Sequence, residues 1–190
     1  MPGKRITFAL AVALALASVG LFAPGCGGES DQSAAESEKA DDIAILNTAL
    51  GYELTAVDAY TRALPLLKGE TLGVAREFRA QEQEHVNAIV KAIRGLGGRT
   101  DPEPVDLDPP GPKTHADALS LAYDQVSAAI AEDMAAVAGL NASWPRALLT
   151  SIAADEAQQL TVLRQALGAD PAAAVPEAFE NGETPTPDTG

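Results

Sequence analysis

A glutamate and a histidine three residues apart interrupt an apolar helical seam in this chain. Glu82 and His85 would share one face of a helix, one turn apart. Removing a carboxylate and an imidazole from water is costly unless both find partners. The pattern therefore predicts either a buried, hydrogen-bonded Glu–His pair or a metal site inside a helical bundle. The same face carries apolar residues at alternating steps of three and four: Ala75, Phe78, Ile89, Ala92 and Leu96.

The composition agrees with closely packed helices. Of the 190 residues, 46% are apolar but only 4% are aromatic, and alanine supplies much of the difference. The formal net charge is −14 at neutral pH. An acidic surface repels phosphate groups, so the sequence predicts no nucleic-acid partner, whereas a metal cation is a natural small partner.

The N-terminal segment has the pattern of an export signal. Lys4 and Arg5 precede an uncharged, largely apolar run over residues 6–22, and small residues follow it. A basic start, an apolar stretch and a small-residue end are typical of a secretory signal. A permanent membrane helix is the alternative, because the run is only slightly shorter than a membrane span.

The position of Cys26 suggests a lipid anchor. Cys26 is the only cysteine, so it cannot form an internal disulfide. Its place after the apolar run resembles the lipobox of bacterial lipoproteins, in which the cysteine is lipidated and becomes the mature N-terminus. This resemblance implies a signal peptide over residues 1–25 and a lipid-anchored protein of the cell envelope, outside the cytoplasm. Residues 26–39, rich in Gly, Ser and acid, are predicted to form a flexible tether.

Four helices are predicted over residues 40–168. The first begins between Ser37 and Asp42 and ends or kinks at Pro65, and the second covers residues 70–96. The third is predicted over residues 115–139 and the fourth over residues 143–167. Residues 169–190 are rich in Pro, Ala and acid and predict a disordered C-terminal tail.

The connection between the second and third helices is unusually long. Residues 97–114 contain five prolines and no periodic pattern. A structureless connection of this length needs a reason inside a compact domain, and it is long enough to run the length of a bundle of ~25-residue helices. The sequence therefore predicts an all-α four-helix bundle with a long crossover between helices 2 and 3.

The two halves of the chain resemble each other, and the shared positions carry acids. Residues 50–53 (Leu-Gly-Tyr-Glu) match residues 121–124 (Leu-Ala-Tyr-Asp), and Glu82-x-x-His85 matches Glu156-x-x-Gln159. In antiparallel helix pairs the four acids fall at one level of the bundle. Four carboxylates in an apolar core cannot all stay ionised without a counter-charge. A pair of divalent ions would neutralise them.

With these motifs, residues 40–168 resemble the ferritin-like superfamily. In that superfamily, one Glu from each of two helices and a Glu-x-x-His from each of the other two face inward around two irons. The sequence looks most similar to secreted bacterial ferritin-like domains of the desiccation-related type. Carried over by position, the resemblance implies these metal ligands: Glu53, Glu82, His85, Asp124, Glu156 and Gln159.

Two of these positions depart from the superfamily pattern. Asp124 replaces a longer Glu, and Gln159 replaces the second His. An amide oxygen is a weak ligand for iron compared with imidazole. The half-site with Glu53, Glu82 and His85 looks intact, whereas the other half looks impaired. A single metal, a weakly bound second metal and an empty site all remain open.

The resemblance implies iron as the cofactor, with manganese or zinc as alternatives. The chemistry it implies is oxidation of ferrous iron or reduction of peroxide. The alternative function is a non-catalytic structural or binding module of the cell envelope that keeps the fold. The sequence leaves open whether the protein is an enzyme and what its oligomeric state is.

Overall fold

Four α-helices account for most of the residues that the structure describes. The computed structural model describes residues 28–103, 105 and 111–170. Helix α1 covers Gly28–Ala63 and continues into a 3₁₀ turn at Leu64–Leu66. Helix α2 covers Gly69–Gly95, α3 covers His115–Gly139 and α4 covers Ser143–Ala166. No strand occurs among the described residues, and the prediction of an all-α four-helix bundle is confirmed.

The apolar core fills the space between the helices. Helix α1 packs against α2 and α3, and α3 packs against α4, whereas α2 and α4 share a much smaller interface. The predicted apolar seam of α2 faces this core, and so do the apolar sides of α1 and α4. Burial of these side chains is the main force that holds the bundle together. The largest fully buried apolar and aromatic side chains are Leu46, Leu50, Tyr60, Ile89, Ile93, Tyr123, Val126 and Leu149.

The crossover between α2 and α3 runs along α1. The side-chain oxygen of Asn47 accepts a hydrogen bond from the backbone N–H of Asp101, over 2.7 Å. The chain then passes over Gly51 so closely that a Cβ there would lie 2.5 Å from the carbonyl oxygen of Glu103. Near the end of α1, Gly111 lies against the guanidinium of Arg62. The described parts of the crossover therefore contact α1 at three places between Asn47 and Arg62.

Two acidic side chains fix where α3 and α4 begin. Asp117 accepts a hydrogen bond from the N–H of Thr114 while Thr114 accepts one from the N–H of Asp117, which forms a capping box at the start of α3. Asp42 of α1 accepts from the N–H groups of Asn141 and Ala142, over 2.6 and 2.9 Å. It thereby satisfies donors at the start of α4, where Ala142 offers no side-chain cap.

Helix α1 begins earlier than the sequence predicted. It starts at Gly28, so the described part of the predicted tether is helical, and the prediction of a flexible segment is wrong there. The segment contains no proline, and its Ala, Glu and Gln residues favour helix. Its side chains from Gln32 to Asp41 are all exposed, so this extension adds no core.

Several predictions concern residues that lie outside the described ranges. These are the signal peptide over residues 1–25, Cys26 and the tail from residue 171 onward. None of the helices in the described part of the chain combines the length and apolar character needed to cross a bilayer.

Candidate metal centre

Three helices bring four potential metal ligands together. Glu53 of α1, Glu82 and His85 of α2, and Glu156 of α4 each offer one ligand atom, and these atoms all lie within 4.8 Å of one another. The three glutamates have a relative exposure of 0%. We refer to these four residues as the carboxylate cluster.

Each glutamate of the cluster lies where two groups of apolar core residues meet. In α2, Glu82 lies between Phe78, which packs in one group, and Val86, which packs in the other. In α4, Glu156 lies between Ile152 and Leu160 in the same way. The apolar seams therefore place all three acids in the core, where no water competes for their oxygens.

His85 links the cluster to a further acid. Its Nδ1 atom lies 3.3 Å from Oε2 of Glu82 and 3.4 Å from Oε2 of Glu53. Its Nε2 atom lies 3.3 Å from Oδ2 of Asp155 on α4. Metal-binding histidines commonly bind through one ring nitrogen and donate the other N–H to an outer carboxylate. Asp155 occupies that outer position, and no sequence pattern predicted this role for it.

The cluster has more acceptors than the described residues satisfy. Both oxygens of Glu53, both oxygens of Glu156 and Oε1 of Glu82 are buried without a hydrogen-bond partner. The single Nδ1–H of His85 can point at only one of its two neighbours. Buried carboxylate oxygens without donors are costly, and a cation would satisfy several of them together. Three carboxylates and one imidazole form a donor set suited to iron, manganese or zinc.

Burial and mutual repulsion shift the protonation of the cluster. Burial raises the pKa of Glu53 to about 7, although its contact with His85 opposes the shift. Burial and the charges of Glu53 and Glu82 raise the pKa of Glu156 well above its ordinary value. Burial lowers the pKa of His85, but its contacts with Glu53 and Glu82 outweigh this effect and raise it to about 10. Without a metal, protons thus partly neutralise the cluster at neutral pH.

The inward-facing acid of α3 is Asp133, and the prediction of Asp124 is wrong. Asp124 is exposed and lies outside the carboxylate cluster. Asp133 is 2% exposed, and its Oδ2 has no hydrogen-bond partner. Burial raises its pKa to about 8, and the charge of Glu53 adds to the shift.

The error comes from the register in which the two halves were compared. The Tyr-acid pairs match at an offset of 124 − 53 = 71, whereas the buried positions of α1 and α3 match at an offset of 126 − 53 = 73. In that register the buried residue of α3 that corresponds to Glu53 is Val126. The matching buried pairs are Leu46 with Leu119, Leu50 with Tyr123, Tyr60 with Asp133, and Ala63 with Ala136.

Gln159 is buried and forms hydrogen bonds with two neighbours. Its Oε1 accepts from the hydroxyl of Tyr60 over 2.9 Å, and its Nε2 donates to Oε1 of Gln81 over 3.4 Å. Burial and the charges of Glu82 and Glu156 raise the pKa of Tyr60 well above its ordinary value, so its hydroxyl remains a donor. The amide oxygen that was predicted as a ligand is therefore already engaged.

Comparisons with known proteins agree with this fold. The family model of the ferritin-like domain matches residues 41–169, so the chain belongs to the ferritin-like domain family. A crystal structure described as ferritin-like, diiron-carboxylate proteins from Bacillus anthracis is similar at a TM-score of 0.61 and 20% identity, covering 69% of this chain and 98% of that one.

A conserved hypothetical protein from Mycobacterium tuberculosis has a similar structure. Its TM-score is 0.64 at 19% identity, with 75% of this chain and 99% of that chain covered. No curated protein matches the sequence. At these identities the structural likeness establishes the fold, while the site is argued from its own residues.

Proposed function

We propose that this protein binds one divalent metal ion through Glu53, Glu82, His85 and Glu156. The observation that carries the proposal is the set of buried carboxylate oxygens that have no hydrogen-bond partner and surround one imidazole nitrogen. Hydrogen bonding within the described residues does not explain why three acids are kept in an apolar core. A bound cation explains both their burial and their convergence.

The unequal halves of the site favour one metal over two. The half with Glu53 and His85 offers a carboxylate and an imidazole in addition to the shared Glu82 and Glu156. At the matching positions of the other half stand Val126, which has no donor atom, and Gln159, whose oxygen accepts from Tyr60. A second ion would therefore have few ligands from the described residues.

Iron is the metal we favour, with manganese and zinc as the alternatives. Bound iron would supply one-electron chemistry, in which ferrous iron would be the electron donor and dioxygen or peroxide the electron acceptor. The contribution of the chain is to hold the ion in an apolar core and to orient His85 through Asp155. A non-catalytic envelope module is the second candidate. It is favoured because Val126 offers no metal-ligating atom and the amide oxygen of Gln159 already accepts a hydrogen bond from Tyr60.

Metal analysis of the protein, purified without a chelating tag, tests the proposal. We expect about one equivalent of metal per chain. At neutral pH, Fe²⁺, Mn²⁺ or Zn²⁺ should stabilise the metal-free protein by ~2.7 kcal/mol when present at ~100 times the dissociation constant. Glu82→Ala and His85→Ala should abolish this gain.

Glu84→Ala is the matched control, because Glu84 lies on α2 between the two ligands and is exposed. It should keep the metal-dependent gain. If none of the three metals raises the unfolding temperature of the wild type, the metal proposal fails and the envelope-module function is left. Oxygen consumption with ferrous iron and peroxide consumption then separate turnover from binding alone.

We also propose that the protein is exported and anchored through a lipid on Cys26. The support is the sequence pattern alone: a basic start, an apolar run and a lone cysteine directly after it. Cys26→Ser should move the protein out of the membrane fraction after cell lysis. If the variant stays in that fraction with residues 1–25 still attached, the apolar segment itself is the anchor.

A further inference from the structure

An apolar cavity lies at the end of the bundle where α1 ends and α2 begins. It has a volume of about 280 Å³, and side chains from all four helices line it. Only three of its thirteen lining residues are polar, namely Glu70, Thr71 and Gln165. The apolar part of the wall includes Tyr60, Phe78, Leu119, Leu163 and Val74.

Small side chains create this space. Ala75 of α2, Ala122 of α3 and Ala166 of α4 line the cavity where larger side chains would fill it. Protein interiors are otherwise packed with few voids larger than a water molecule. An apolar cavity of about 150 Å³ can stay dry and bind benzene, so this larger space can hold a larger apolar molecule.

Tyr60 forms a wall between this cavity and the metal centre. Its ring lines the cavity and packs edge-on against Phe78, with the ring centroids 6.1 Å apart. Its hydroxyl points the other way, toward Oε1 of Gln159. The cavity is therefore separate from the carboxylate cluster, and filling it does not require a metal.

The polar residues define which end of a ligand meets solvent. Glu70 and Gln165 are exposed, whereas Tyr60, Leu119 and Ala122 are buried. The mouth therefore carries a carboxylate and an amide, and the interior is apolar. A carboxylate at the mouth repels an anionic head group and accepts a hydrogen bond from a hydroxyl or an amine.

From these features we infer that the cavity binds an uncharged amphiphile of about ten to seventeen non-hydrogen atoms, a size suited to a small ligand pocket. Its aromatic or aliphatic body lies between α2, α3 and α4, and its hydroxyl end lies near Glu70 and Gln165. This site goes beyond the proposed metal function and is tested without metal.

Fluorescence titration with N-phenyl-1-naphthylamine measures occupation of the cavity. The measurement uses residues 26–190, which retain every residue that the structure describes, in metal-free buffer. Saturable binding is expected, and decan-1-ol should displace the probe. Decanoate should compete about tenfold less well because its charge faces Glu70. Glu70→Gln should reduce that difference.

Variants that fill the cavity give the decisive comparison. Ala166→Leu should weaken probe binding by about tenfold or more, because the added methyl groups occupy the ligand volume. Ala128→Leu is the matched control, since Ala128 is similarly half-buried on α3 but does not line the cavity. It should bind as the wild type does. Ala75→Leu fills the cavity from α2 and keeps the test valid if Ala166→Leu misfolds.

Three results would overturn the inference. They are no saturable binding to the wild type, equal binding by wild type and both filled variants, or binding that appears only when residues 171–190 are removed. The last result would make the C-terminal segment of the chain the occupant. Equal competition by decan-1-ol and decanoate would overturn the assignment of an uncharged ligand.

Discussion

The Nε2 atom of His85 lies 3.3 Å from Oδ2 of Asp155, across the interface between α2 and α4. This interface is much smaller than those of the other contacting helix pairs of the bundle. The Asp155 side chain is 37% exposed and that of His85 is 12% exposed, so this pair lies between solvent and the buried carboxylate cluster. The contact leaves the Nδ1 atom of His85 directed at Glu53 and Glu82. Asp155 therefore sets the orientation in which His85 can act as a ligand.

Asp155→Asn should weaken metal binding about ten- to hundredfold, because loss of an outer carboxylate reduces the basicity and the fixed orientation of a ligating imidazole. Competition between the protein and a fluorescent zinc chelator measures the affinity. Glu84→Gln removes the same charge from an exposed position on α2 and should leave the affinity nearly unchanged. Equal affinities for the two variants would show that Asp155 acts only through net charge.

The metal-free protein should lose stability as the pH rises. Folding raises the pKa of Glu53 from 4.5 to about 7, of Asp133 from 3.8 to about 8 and of His85 from 6.5 to about 10. The folded state therefore binds more protons than the unfolded chain, and these contributions are lost as the pH rises through the folded values. We expect the unfolding temperature to fall by ~10 °C between pH 5 and pH 9.

General repulsion within an acidic chain predicts the same direction, so a matched pair of variants is needed. Glu53→Gln removes a buried titrating group, and Glu77→Gln removes an exposed glutamate of α2. Thermal unfolding monitored by circular dichroism should show a weaker pH dependence for Glu53→Gln only. If both variants behave alike, surface charge explains the trend.

The sequence predicted the helices that carry one clear apolar seam. The seams of α1, α2 and α4 each contain one glutamate, and Glu53, Glu82 and Glu156 are buried acids. Proline and glycine residues near the helix ends predicted the bounds of α2, α3 and α4 to within a residue or two of those observed. These features are local, so a single sequence is enough to recognise them.

The register of α3 was harder to predict. Small residues lie on both its exposed and buried sides, as Ala131 and Ala129 show, so apolar periodicity hardly distinguishes its faces. The resemblance of the Tyr-acid pairs then favoured Asp124, whereas packing places Asp133 inside. The apolar side chain of Met134 is 60% exposed. Asp155 was missed for another reason: its role depends on a contact between helices that no local pattern encodes.

The close approach of the crossover to α1 can be tested at Gly51. A Cβ there would lie 2.5 Å from the carbonyl oxygen of Glu103, so Gly51→Ala must displace the crossover backbone. We expect the free energy of unfolding to fall by about 1–3 kcal/mol, as for other overpacked positions. Chemical denaturation measures the change.

Gly73 provides the control for this prediction. It lies within α2, and a Cβ there would meet nothing within 4 Å. Gly73→Ala should stabilise the protein by up to about 1 kcal/mol, because alanine favours helix over glycine. If Gly51→Ala also stabilises, the crossover does not lie against α1 at this point.

The number of metal ions per chain tests the comparison of the two half-sites. The wild type should bind one ion, measured by elemental analysis after equilibrium dialysis. Gln159→His alone should still bind one, because Val126 leaves α3 without the carboxylate that matches Glu53. Adding Val126→Glu to Gln159→His should raise the stoichiometry toward two, since three carboxylates and an imidazole would then face each ion. Two ions bound by Gln159→His alone would instead show that the shared glutamates and the new imidazole suffice for a second metal.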